Sequence, residues 1–176
     1  MTKAPWMTRV ALAVATGFGL GLSPVASGTC GALLGLPLAL ALTVLHGRLA
    51  WQVAVCVLLS ALAVPVCDAA ERCFGKKDDG RIVADEYLTL PICVIGLPIA
   101  AMLRGGRIAE GLILLGAAFV FSRICDILKP TPARQIQKVK GGLGIVLDDV
   151  FASVYALILT HGSVGLLERY VYPLVN

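Results

Sequence analysis

Leu49-Ala-Trp-Gln-Val-Ala-Val-Cys-Val-Leu-Leu-Ser-Ala-Leu-Ala-Val-Pro-Val-Cys67 carries no charged residue. A helix crosses the hydrocarbon of a bilayer in about 20 apolar residues, so this run is long enough to span. Four other stretches qualify or come close: Val25 to Leu45, Tyr87 to Leu103, Ile108 to Cys125 and Val150 to Leu167. The predicted architecture is all-α, a polytopic membrane helical bundle of about five transmembrane helices in one domain, residues 1–176. A further stretch, Val10 to Leu22, is too short to span with ease and contains Gly17, Gly19 and Gly21. It is expected to be re-entrant or interfacial, because irregular backbone at membrane depth must be buried in protein or line a cavity.

Composition supports the bilayer as solvent. The chain is 58% hydrophobic and 15% charged, with a mean hydropathy of +0.87. Soluble domains are about 45–50% apolar and about 25% charged. The net charge of +4 bears on topology and on anionic lipid partners. No basic soluble face is visible, so no nucleic-acid partner is expected. The six cysteines contain no C-x-x-C pair, and five lie in or at the ends of apolar runs, so they read as small packing residues. No cleavable signal peptide is expected: the stretch after Lys3 and Arg9 breaks at glycines and continues into more protein.

Tight connections at His46-Gly47-Arg48 and Arg104-Gly105-Gly106-Arg107 alternate with long polar ones, Asp68 to Glu86 and Asp126 to Asp149. With the N-terminus inside and five spans alternating, eleven basic residues fall on the cytoplasmic side: Lys3, Arg9, Arg72, Lys76, Lys77, Arg81, Arg123, Lys129, Arg134, Lys138 and Lys140. Four, Arg48, Arg104, Arg107 and Arg169, fall outside. That is the positive-inside pattern, and it predicts a multi-pass membrane protein whose long polar loops lie in the cytoplasm. Nine of the eleven carboxylates lie on the same side as the eleven cations, most beside helix ends.

Asp68 and Glu71 share a helix face at the exit of the second span. Asp85 and Glu86 adjoin the third, Arg123, Asp126 and Lys129 follow one face at the end of the fourth, and Asp148 and Asp149 open the fifth. Acids in a first helical turn also stabilise the helix dipole, which accounts for each pair taken singly. Together they make an oxygen-rich set of the kind Mg²⁺ shares with substrate phosphates, with arginine and lysine beside it suited to a phosphate. Glycines at Gly17 to Gly21 and at Gly28 and Gly31 let backbone N–H groups approach a phosphate, or let helices pack closely. His46 and His161 are read as structural, so a histidine nucleophile is not expected. D-x-D-x-T and the CDP-alcohol phosphotransferase pattern are absent.

Four stretches, in order, resemble the phosphatidylglycerophosphatase A family. They are Gly17-Phe-Gly-Leu-Gly-Leu-Ser-Pro-Val-Ala-Ser-Gly-Thr29, Phe74-Gly-Lys-Lys-Asp-Asp-Gly-Arg-Ile-Val-Ala-Asp-Glu86, Arg123-Ile-Cys-Asp-Ile-Leu-Lys-Pro130 and Gly141-Gly-Leu-Gly-Ile-Val-Leu-Asp-Asp149. The resemblance implies a Mg²⁺-dependent hydrolase converting phosphatidylglycerophosphate to phosphatidylglycerol and phosphate in phospholipid biosynthesis, with its active site on the cytoplasmic face. It maps catalytic acids onto Asp85, Glu86, Asp126, Asp148 and Asp149, with Glu86, Asp126 and Asp149 as the first metal ligands. Ser23, Thr29, Lys76, Arg123 and Lys129 are the expected substrate contacts, and Asp68 or Glu71 the expected general base. Two departures stand out: Ser27 replaces a usual proline, and Tyr87-Leu-Thr follows Glu86 where a glycine is usual. The rival readings are a small transporter or channel, which predicts mid-membrane charge and an inverted repeat, and a non-enzymatic lipid-binding or scaffold protein. The latter has no use for so many acids.

Overall fold

A computed structural model describes residues 6–131, 133–136 and 139–170, with side chains to residue 165. Of the basic residues counted above, Lys3 and Lys138 lie outside the described residues, and the side chain of Arg169 is not described. Among the described residues there is no strand.

Among the described residues three helices are long and apolar enough to cross a membrane: α4 (Leu49–Phe74), α7 (Ile108–Leu128) and α9 (Gly142–Tyr170), the last over Gly142–Gly165. α9 packs along both α4 and α7. It is half buried over its apolar window, against 22% for α4 and 28% for α7, so α9 is the central staff and the other two present broad apolar faces outward. α4 keeps its course through Pro65, at the cost of one backbone hydrogen bond.

The other predicted spans are not continuous helices. Val25 to Leu45 divides into α2 (Ser27–Ala32) and α3 (Gly35–Thr43). Tyr87 to Leu103 divides into α5 (Ala84–Thr89), a 3-10 turn at Leu90–Val94 and α6 (Ile99–Arg104). The count of continuous membrane-length helices is therefore three, not five. In the second case Gly96 adopts φ +79°, which favours glycine, and Pro98 brings no N–H, so the helix is interrupted there. The freed backbone groups are satisfied by side chains. Gln52, fully buried in α4, accepts the Gly96 N–H at 2.9 Å and donates to the Leu42 carbonyl at 3.3 Å. His161 on α9 lies 2.9 Å from the Ile95 carbonyl oxygen.

Two groups of contacts mark the two ends of the bundle. Leu42, Gln52, Gly96 and His161 meet towards one end, while Gly28, Glu86, Arg123, Asp148 and Gly142 gather at the other. α1 (Trp6–Ala15) packs on α4 and stops where Ala15 O accepts the Val83 N–H at 2.8 Å. Tyr87 holds the same place by donating its hydroxyl to Val14 O at 2.9 Å. An irregular 3-10 segment, Gly17–Leu22, follows. α8 (Ala133–Ile136) lies between α7 and α9 in sequence. All six cysteines are free, and Cys56, Cys67, Cys93 and Cys125 are buried in the apolar packing.

Candidate active site

Three helices deliver acids to one end of the bundle. Asp85 and Glu86 come from the first turn of α5, and Asp126 from the last turn of α7. Asp148 and Asp149 come from the second turn of α9, because that helix begins at Gly142 rather than beside them. The first-turn dipole explanation therefore does not apply to these two: both are buried inside a helix, where an unneutralised charge is costly. Lys129 caps α7 in the left-handed region, φ +44°.

These side chains enclose a cavity of about 120 Å³, lined also by Ser27, Gly28, Asp78, Gly80, Ile82 and Ile145. Six carboxylates and one ammonium share it. Lys129 Nζ is paired with Asp148 Oδ2. Arg123 Nη1, just behind, lies 3.3 Å from Glu86 Oε2 and 3.4 Å from Asp126 Oδ2. The Glu86 contact is Coulombic only: Glu86 Oε2, Asp85 Oδ1, Asp148 Oδ1 and Asp149 Oδ2 are all buried without a hydrogen-bond partner among the described residues. Native interiors rarely leave such atoms unmatched.

The electrostatics follow. Burial pushes the Asp85 carboxyl well above its ordinary range, and the neighbouring Glu86 charge adds to that. Burial lifts Glu86 to about 7 against the opposing pull of Arg123. Burial pulls the Lys129 ammonium down, but Asp148 more than offsets it, and the net direction is up.

An all-oxygen set with four unmatched buried oxygens fits a hard divalent cation. Among the described residues no three potential ligands are already closed around one point. The carboxylate oxygens and their unmatched negative charge are donors of the kind that suits Mg²⁺.

The expected residues divide. Asp85, Glu86, Asp126, Lys129, Asp148 and Asp149 line the cavity, and Arg123 touches two of them. Ser23 instead donates to Val25 O at 2.8 Å, and Thr29 is exposed on α2; neither lines the cavity. The reason is Ala26, whose left-handed backbone (φ +48°) turns the chain so that Ser27 and Gly28 face the acids. Ser27, at the usual proline position, donates its hydroxyl to Gly80 O at 2.7 Å. A Cβ on Gly28 would stand 2.2 Å from Glu86 Oε1. Asp68, Glu71 and Lys76 line a separate, more open cavity of about 300 Å³ with Arg72, Lys77, Gly75 and Gly141. The general base expected at Asp68 or Glu71 is thus not in the carboxylate cavity.

Sequence reading did not place Asp78 or Ser27 at the site and named Gly28 only as a glycine where backbone could approach a phosphate; all three lie within the quoted stretches and line the cavity. Asp78 and Asp79 are adjacent but differ in role. Asp79 is buried and held bidentately by Arg81 at 2.8 and 3.0 Å, which keeps its carboxyl down at about 2. Arg81 in turn lies over Phe74, 3.9 Å from the ring centre. This pair fixes the loop that lets Asp78 reach the cavity.

The phosphatidylglycerophosphatase A family profile matches residues 13–164. A Bacteroides thetaiotaomicron protein named "Putative phosphatidylinositol-3-phosphatase" is 38% identical, covering 83% of this chain and 88% of its own. Phosphatidylglycerophosphatase A of Escherichia coli is 34% identical over 80% of this chain and 76% of its own. The Haemophilus influenzae protein of the same name is 36% identical over 83% of each chain. No solved structure matches.

Proposed function

Because the chain belongs to the phosphatidylglycerophosphatase A family, we propose that it hydrolyses the terminal phosphomonoester of phosphatidylglycerophosphate, yielding phosphatidylglycerol and inorganic phosphate in phospholipid biosynthesis. The observation that supports this reading is the buried cavity in which six carboxylates face one lysine and four of their oxygens lack a partner.

Glu86, Asp126 and Asp149 would hold Mg²⁺, with Asp85 and Asp148 beside them. Bound there, the ion supplies charge neutralisation and Lewis-acid polarisation of the phosphoryl oxygens. Lys129 and Arg123 offset the remaining phosphate charge. Water attacks phosphorus, a P–O bond forms, and the P–O bond to glycerol breaks. Asp85, buried and raised in pKa, takes the proton of the attacking water and passes it to the departing glycerol oxygen, which leaves as the alcohol. A carboxylate with an elevated pKa is a better base near neutrality than an exposed one.

The same reading places the two broken segments, Val25 to Leu45 and Tyr87 to Leu103, across the bilayer beside the three long helices. The cavity then faces the cytoplasm of a bacterial inner membrane, on the side of the basic loops. A second headgroup is kept in view by the 38% identical relative named for phosphatidylinositol 3-phosphate. The test is phosphate release by detergent-purified protein from phosphatidylglycerophosphate and from phosphatidylinositol 3-phosphate, each with Mg²⁺ and with excess EDTA. Mg²⁺-dependent release from the first substrate, faster than from the second, is the expected result. Faster release from the second would reassign the headgroup, and no release from folded protein would overturn the hydrolase reading.

A further inference from the structure

The residues before the cavity alternate: Gly17, Gly19 and Gly21 are separated by Phe18, Leu20 and Leu22. The fold explains why the small residues are needed on one side. A Cβ on Gly21 would sit 2.3 Å from Arg81 O, and one on Gly17 would touch Val83 and Leu34 at 3.0 Å. Gly17 and Gly21 are thus pressed against the loop that closes the cavity and its neighbours, while Gly19, with open space beside it, is set by its φ of +102°. The other side is left facing outward, with Phe18 76%, Leu20 41%, Leu22 60% and Val25 74% exposed. Phe18 even holds a left-handed backbone, φ 55°, to stand there. The row continues the exposed Trp6, Met7 and Val10 of α1. It ends two residues before Ser27 and Gly28, which line the cavity.

Contiguous exposed apolar side chains mark an interaction surface. Here the occupant follows from the position of the row. It lies at the end of the bundle where α7 exposes Ile124, Ile127 and Leu128 and α9 exposes Leu143, and those helices carry the membrane-length apolar runs. We infer that residues 17–25 form a leaflet-inserting loop, which dips Phe18, Leu20 and Leu22 among the upper acyl carbons beside the carboxylate cavity and guides a diacyl phospholipid phosphate into it. Burial of such a row at the headgroup–acyl boundary is the ordinary energetics of interfacial segments. The loop would hold the cavity at phosphate depth, with the acyl chains remaining in lipid. The guiding role rests on the lipid phosphatase reading above; the insertion does not.

Two measurements separate these. A Phe18→Trp reporter in a Trp6→Phe/Trp51→Phe background is reconstituted in vesicles containing lipids brominated on the upper acyl carbons. Strong quenching with blue-shifted emission is expected. Unquenched, water-like emission would overturn insertion whether or not the protein is a phosphatase. The variant F18S/L20S/L22S is then compared with wild type on long-chain phosphatidylglycerophosphate in vesicles and on a short-chain, monomeric analogue. A loss of tenfold or more on vesicles, with activity on the short-chain lipid within twofold, is expected. Equal losses on both, or no loss on either, would overturn the guiding role. A changed oligomeric mass of this variant, together with absent quenching in the reporter, would give the row to a second copy and overturn the proposal.

Discussion

The end of the bundle carries two charged cavities, and they differ in how their charge is matched. In one, Asp78, Asp85, Glu86, Asp126, Asp148 and Asp149 face Lys129, with Arg123 behind. In the other, Asp68 and Glu71 face Arg72, Lys76 and Lys77. The second is open, and Arg72 pairs with Asp68 at 2.8 Å as neighbours one helical turn apart, an exposed contact of small energetic consequence. The first is small and buried, with more negative charge than the protein itself neutralises. In the open cavity Glu71 Oε2 is also buried without a hydrogen-bond partner among the described residues, so neither clustered acids nor one unmatched oxygen distinguishes a site from a solvated loop. Four such oxygens around one small cavity do.

The sharpest way to break this contrast is Asp149→Asn. Phosphate release is expected to fall at least about 100-fold while detergent-solubilised protein elutes and melts as wild type; retained turnover would remove Asp149 from the chemistry. Gly28→Ala comes next. The new methyl meets only the far end of the Glu86 side chain, so folding should be spared while the carboxylate is displaced. A loss of about tenfold is expected from a misplacement of that kind, measured as kcat at saturating Mg²⁺, and an unchanged rate would show that Glu86 tolerates being moved.

A third test reads charge rather than rate. Burial moves the Glu86 carboxyl from its ordinary 4.5 up to about 7, so the folded chain keeps a proton that the unfolded chain releases. That stability is fully present below about 4.5 and is lost as pH rises through 7. In EDTA the melting temperature should therefore drop between pH 5 and pH 8, and Mg²⁺ should restore it at pH 8 with little effect at pH 5. The reverse slope would mean that Glu86 is ionised and satisfied without a cation. The smallest effect belongs to the open cavity: Glu71→Gln should leave turnover within about threefold, as surface changes usually do. A collapse of activity there would return the general base to the position first expected from the sequence.

The helical class, the turns at His46–Arg48 and Arg104–Arg107 and the three long helices were legible, because length and hydropathy suffice for them. The breaks were not. Pro65 sits inside an intact α4, whereas the Gly96-Leu97-Pro98 run ends a segment. What separates them is a tertiary partner, Gln52, forty-four positions away from Gly96, and no local pattern reports that. The acids of the cavity were legible from their convergence on helix ends. Ser23 and Thr29 were the expected substrate contacts where Ser27 and Gly28 line the cavity, because the turn at Ala26 rotates the strip by a few residues, and alanine gives no sign of a left-handed backbone.

Gln52 has one more consequence. Between the carboxylate cavity and the opposite end, the buried hydroxyls of Thr89, Thr160 and Thr43 are committed to backbone carbonyls of their own helices. Gln52 closes the remaining gap at Gly96 and Leu42. One side chain thereby splices two stretches of chain that no continuous helix joins, and a Gln52→Leu change would strand the Gly96 N–H and the Leu42 carbonyl together.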